Sequence, residues 1–368
     1  MNLPNDERLP VGSFSKLFSN TSASYKFFWF KALFEKTVSG ETTLRYEDLV
    51  RDMVIEAWYM VTEYHLNLGA TDKLQTLVLY LYEKSNLKSN EKSSKIMDYT
   101  DSCMDAEIVS AMIDLAGMVP YRLQSPFLPE AKPAGIYEGS PNAQIIRLNA
   151  YKDLMYYYSS YNKLETTITI KPEWAEYFIK NQDIIRGWFS YNLIKYLQSR
   201  NPNVPGISDK LYPPEARNLE RVRKYWKILL SVHPVYDIYT NTIMDGSSFS
   251  IDHFVPWSYV AHDELWNLNP TLRSINSSKS NCLPDWEKYF PLLQKQEYEL
   301  YTEIWKNEKV HDAFEKCADG NLNDARVRMN LYAPGLGRDE FCGRLQEVME
   351  PVYLSARNCG FKEWRGSV

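Results

Sequence analysis

Between Asn201 and Pro214 the chain reads NPNVPGISDKLYPP, with four prolines and a glycine. Proline locks φ and removes a backbone donor, so neither a helix nor a strand runs through this stretch. Secondary structure on the N-terminal side must end before it, and elements on the C-terminal side must begin afresh. At 368 residues the chain is long enough for one large domain or two to three smaller ones, each with its own core. We read 1–200 as a mainly helical domain, 201–231 as a linker and basic helix, 232–290 as a small mixed unit and 291–368 as a C-terminal helical extension.

Hydrophobic periodicity predicts helices on both sides of the linker. Before it they are Tyr25–Lys36, Asp48–Leu66 with Thr43 as a capping candidate, Asp72–Tyr82, Ala106–Val119, and one long helix from Pro172 to Arg200. Pro120–Pro141 reads as a loop and Thr166–Ile170 as a strand. After the linker come Ala216–Leu230, one or two helices within Trp286–Ala318, and Asp339–Arg357, interrupted by Gly335 and Gly337. The 27 Tyr and 10 Trp suit a packed helical core better than a base-stacking surface.

Composition excludes several classes. The apolar run FFWFKALF is short and interrupted by Lys31, so no bilayer span or membrane partner is expected. The N-terminus, MNLPNDERLP, is polar where a signal peptide requires an apolar run. The cysteines, Cys103, Cys282, Cys317, Cys342 and Cys359, form no C-x-x-C pair, which removes zinc ribbons and redox motifs and suggests reduced thiols in a cytoplasmic protein. A net charge of −5 argues against non-specific nucleic-acid binding by the whole chain. Locally, Lys180 to Lys227 holds ten basic and four acidic residues. That excess reads either as a track for a phosphate backbone, through Arg221, Arg223, Lys224 and Lys227 in particular, or as solvated helix faces.

The chemistry concentrates in FSIDHFVPWSYVAHDELWNLNPTLRSINSSKSNCLP, Phe249–Pro284. A β-prone piece stops at Pro256, Asp263–Asn267 leads into a second strand that Pro270 breaks, and Thr271 caps a short helix from Leu272 to about Asn281. Asp252 and His253 end the first strand. Adjacent strand side chains face opposite ways, so these two converge only if the pleat breaks. Asn276, Lys279 and Ser280 share one helix face. A carboxylate, an imidazole, an amide and an ammonium around one point are what phosphodiester hydrolysis needs. Oxygen ligands hold a hard cation, a neutral imidazole with a reference pKa of about 6.5 takes a proton from water, and a lysine holds a flanking phosphate.

The arrangement of Asp252, His253, Asn267 and Asn276 resembles the HNH, or ββα-metal, endonuclease motif in its H-N-N variant. The spacing is similar to that of the HNH domains of CRISPR effector nucleases and bacterial HNH effectors. The resemblance covers about 36 of the 368 residues. It implies a mainly α fold with a small ββα-metal unit embedded in a helical body. It implies Asp252 and Asn276 as ligands of Mg2+ or Mn2+, His253 as general base, and Asn267 as a brace of the loop that carries the imidazole. Asn269 and Asn281 stay rivals of Asn276, and Lys279 is either a phosphate contact or a solvated lysine. Trp257 and Trp266 are expected to pack the hairpin, and His262 to lie on the surface.

The expected activity is endonucleolytic hydrolysis of DNA, one strand per centre, leaving 5′-phosphate and 3′-hydroxyl ends. The expected setting is a restriction or phage-defence effector with protein partners and, for double-strand breaks, an oligomer. The competing expectations are an RNA-directed nuclease, or a non-catalytic helical protein whose HNH unit only binds nucleic acid or metal.

Overall fold

The structure, a computed structural model, describes residues 3–102, 105–129, 135–213 and 218–366. It divides into two compact units, Met1–Pro202 and Asn203–Val368, and the division falls inside the proline-rich stretch. The fold is mainly α with small sheets. Among the described residues no helix is long and apolar enough to cross a membrane. Cys103, Glu215, Ala216 and Arg217, used in the sequence reading, lie outside the described residues.

In the first unit α1 (Tyr25–Val38), β1 (Thr43–Arg45), α2 (Tyr46–Thr62), α3 (Lys73–Lys84) and α4 (Ala106–Ala116) precede β2 (Tyr156–Tyr158), β3 (Thr167–Ile170), α5 (Pro172–Lys180) and α6 (Gln182–Arg200). The three strands form an antiparallel sheet of order β1-β3-β2. Thr43 is no cap: it pairs with Thr169, and α2 starts after Arg45. The threonine's β-branched side chain suits that pleated position. The single helix expected from Pro172 to Arg200 is broken at Asn181, which leaves the helical region (φ −113°, ψ 22°). Helices at Ser93–Ser102 and Pro141–Asn149 escaped the periodicity reading because both are short and polar, with few buried residues. The aromatic surplus serves the core: the Phe14 ring lies 5.2 Å from both Trp174 and Trp188 and 5.7 Å from Phe178.

In the second unit α7 (Glu220–Val232) leads to β4 (Ser250–His253), β5 (Leu268–Thr271) and α8 (Arg273–Lys279). Next in the chain are β6 (Leu283–Pro284), α9 (Trp286–Lys306), α10 (Glu308–Asn321), α11 (Ala325–Leu331), α12 (Arg338–Asn358) and β7 (Glu363–Trp364). Strands β6 and β7 pair in parallel, bringing Trp364 back toward the start of this unit. Phe254, just after β4, packs among Trp286, Phe290 and Tyr353 with ring separations of 6.0–6.5 Å. Helices α9 and α12 thereby support the hairpin from its apolar side.

One core residue makes this unit pH-sensitive. Glu297 on α9 is buried, its Oε1 has no hydrogen-bond partner, and burial pushes its carboxyl up to about 8. Between the unfolded value of 4.5 and about 8 the unfolded chain releases a proton that the folded chain keeps. Stability therefore falls as pH rises through that window and levels off above it. Glu297→Gln is expected to remove this slope, so its stability relative to wild type rises by a few kcal/mol, to order of magnitude, between pH ~5 and ~8. Urea midpoints of both proteins at the two pH values check this; equal pH dependence would show that Glu297 is ionised in the folded state.

Candidate active site

Strands β4 and β5 are antiparallel in the register Ser250↔Thr271, Ile251↔Pro270, Asp252↔Asn269, His253↔Leu268. Pro270 does not break the chain; it sits within β5, in a ladder of only two strands where its missing N–H can face away from the partner. Helix α8 closes over one face. Ser250 and Asp252, two apart on the strand, point to that face, and Asn276 and Lys279, three apart on the helix, point back at it. The Asn276 Nδ2 atom donates to Ser250 Oγ at 2.9 Å, and Lys279 Nζ donates to Asp252 Oδ1 at 3.0 Å. Thr271 is not the cap of α8. Its hydroxyl donates to Asp237 Oδ2 (3.1 Å), and that carboxylate also accepts from the N–H of Leu272 (3.3 Å), the residue at the N-cap of α8.

Asp252 is 3 % exposed and held on both oxygens. Besides Lys279 on Oδ1, the Tyr239 hydroxyl donates to Oδ2 at 2.6 Å. Burial and the adjacent Asp252 carboxylate push that hydroxyl well above its usual range, so it stays a donor. The Tyr239 ring is fixed between Tyr289 (5.1 Å) and Trp364 (5.3 Å). The expectation of a phosphate-facing or solvated Lys279 is corrected here. Its side chain is fully buried and it also donates to the His253 carbonyl oxygen at 2.7 Å. A cation so enclosed neutralises Asp252 and does not reach outward.

Strand β4 runs to His253. The side chains of Asp252 and His253 take different partners. The imidazole Nε2 lies 2.8 Å from Asp263 Oδ1, in the connection between the strands. An ionised carboxylate only accepts, so Nε2 carries a proton, and in the neutral ring Nδ1 is then the basic nitrogen. The Asp263 segment is itself anchored: Asn321 Nδ2 at the end of α10 donates to the Asp263 carbonyl (2.7 Å), and the buried Glu264 carboxylate accepts from Asn323 N and Nδ2. Asn267 is buried and makes a reciprocal pair with one residue of the turn after His253. Its Oδ1 accepts from Val255 N (2.8 Å), and its Nδ2 donates to Val255 O (2.9 Å). His262 is half-buried instead of on the surface; its ring lies 5.6 Å from Trp266, and burial lowers its basicity.

The donor set fits a hard divalent cation in kind. Asp252 supplies a carboxylate, and Asn276, with its nitrogen committed to Ser250, presents Oδ1 as its remaining polar atom. Asn269 sits directly across from Asp252, fully buried, with an amide oxygen that has no hydrogen-bond partner. Magnesium is bound through one or two carboxylates while keeping several waters, so few protein oxygens suffice. Among the described residues no group of three or more His, Cys, Asp or Glu could hold a metal, which leaves zinc-type clusters without support.

Of the basic residues, Arg221, Lys224 and Lys227 lie exposed on α7. Arg223 does not join them. Its guanidinium donates to the Phe249 carbonyl (2.9 Å) and lies over that residue's ring at 5.3 Å, tying α7 to the residue before β4. Lys210 is buried against the Pro205 and Tyr259 carbonyl oxygens. Lys180, Arg186, Lys195 and Arg200 belong to the first unit.

A strand pair ending in Asp-His and closed by a short helix bearing Asn-x-x-Lys defines the ββα class of nuclease centre. Residues 236–285 match the family model described as HNH endonuclease, and this part of the chain is an HNH-family domain. The match also takes in Asp237 and Tyr239, which precede the stretch singled out by the sequence reading. No curated protein and no solved structure matches the chain.

Proposed function

We propose that the second unit is a metal-dependent endonuclease that hydrolyses DNA phosphodiester bonds, cutting one strand per centre. The observation that carries this reading is the pairing of α8 with β4, which sets Asp252 and Asn276 on one side of the hairpin while Asp263 orients His253. Asp252 and Asn276 would hold Mg2+ or Mn2+, which when bound offsets charge developing on the phosphate and the leaving oxygen. His253, proton on Nε2, takes the proton of the attacking water at Nδ1. Asn267 holds Val255 and hence the backbone just after the imidazole. The joining of this unit to a separate helical unit supports an effector role, as in restriction or phage defence, with partners supplying the target.

Incubating supercoiled plasmid with the protein and magnesium tests the reading: nicked circles are expected, and chelation should abolish them. A labelled RNA in the same assay separates the two polymers. A second reading has one observation in its favour. Asp252 is already neutralised by Lys279 and bonded to Tyr239, as in a unit that binds nucleic acid without cutting. Retained binding with no product under any divalent metal would select it.

Asp263→Asn gives a sharper test of the His253 assignment. The amide no longer holds Nε2–H as a charged acceptor does, and loss of such an orienting partner lowers activity roughly tenfold to a hundredfold. The expected result is a fall of that size in nicking rate with unchanged DNA affinity. An unchanged rate would remove Asp263 from this role.

A further inference from the structure

Helices α7 and α10 pack along each other and leave between them a cleft of about 1110 Å³. One wall carries Arg221, Lys224 and Lys227, which helical spacing places on one face of α7. The other carries Lys309 and Lys316 of α10, also exposed. Against these five cations stand two lining carboxylates, Asp312 and Asp319, and the second has Arg328 at 3.7 Å. Lys224 also has Glu220 within 3.7 Å at the rim. Tyr225, Ile228 and Val232 contribute an apolar floor. At one end Gly320 lets the Arg221 guanidinium lie against α10, since a Cβ there would come within 3.2 Å of its Nη1.

Both walls are bonded to the catalytic hairpin. Arg223 ties α7 to Phe249, immediately before β4. Asn321 ties α10 to Asp263, whose carboxylate holds His253. An anion seated in the cleft is therefore held at a fixed position relative to the imidazole. A repeating polyanion suits two facing rows of cations better than a single small anion does.

We infer that the α7–α10 cleft is a second nucleic-acid site, which binds the phosphodiester backbone of the substrate outside the hairpin and holds it in register with His253. The inference rests on the nuclease reading for the identity of its ligand. Lys309 and Lys316 are its defining residues, because no basic run in the sequence marks them.

The test is binding of the full chain to a labelled duplex and to a labelled single strand, in chelator so that nothing is cut. Lys309→Glu/Lys316→Glu is expected to weaken binding at least about tenfold. It should also lower the slope of log affinity against log salt by about 1.8 on a duplex or about 1.4 on a single strand, the release expected for two phosphate contacts. The probe on which the α10 pair loses affinity is the form the cleft takes. Lys16→Glu/Lys152→Glu, the same charge change at exposed residues of the first unit, should leave affinity and slope near wild type. Equal losses in both pairs, or an unaltered α10 pair with intact circular dichroism, would overturn the inference. So would wild type that binds neither strand form. If the glutamate pair misfolds, Lys309→Gln/Lys316→Gln gives the same comparison at smaller amplitude. Nicking in magnesium keeps the two readings apart. Binding lost in the α10 pair of a protein that cuts nothing retains the cleft and removes the nuclease, and cutting with unaltered binding does the reverse.

Discussion

His253→Ala should lower magnesium-supported nicking of supercoiled DNA by about 10²–10⁴-fold, the range a positioned general base contributes, while binding in chelator stays at the wild-type level. The reasoning is geometric. The imidazole is only 7 % exposed, its Nε2 is held by Asp263, and its backbone carbonyl is held by Lys279, so the ring is kept in one position. A variant that keeps more than about a tenth of the activity would assign the base elsewhere.

The largest effect on stability is expected at Lys279→Met. The ammonium is fully buried, with Asp252 and the His253 carbonyl as its partners, and Asp252 is itself 3 % exposed. Removing one member of a buried pair leaves the other charge in a poorly solvated place, which costs about 3–5 kcal/mol. Urea unfolding should show a loss of that size. Combining it with Asp252→Asn should restore much of the loss, because no lone charge is then buried. A single-variant loss below ~1 kcal/mol would mean that the pair is effectively a surface one.

The hairpin and the helix that closes it were legible because the side chains that meet there are local in sequence. Asp252, His253, Asn267, Asn276 and Lys279 lie within one short strand–strand–helix stretch, where periods of 2 and 3.6 fix which side chains share a face. The fate of Lys279 was half legible. Its place three residues after Asn276 put it on the inward face, which was the signal against a solvated lysine. The supports were not legible. Tyr239, Asn321, Asn323 and Trp364 reach the site through contacts that helical and strand periodicity do not report. Asp263 was seen only as a lead into the second strand, since nothing in its spacing from His253 marks a partnership. Thr43 failed for a related reason: its capping chemistry was local, but the strand at Thr169 that claimed it is far along the chain.

The anchoring of Asp263 and Glu264 by Asn321 and Asn323, and of Tyr239 by Tyr289 and Trp364, bears on how this motif can be moved between proteins. A graft limited to 236–285 would carry the motif's polar side chains but leave behind the residues that hold them in place. The imidazole's carboxylate would sit on an unmoored loop, and the phenol beside Asp252 would lose both walls of its slot. In this chain the smallest transplantable unit extends through Trp364, so the scaffold and the motif are inherited as a single part.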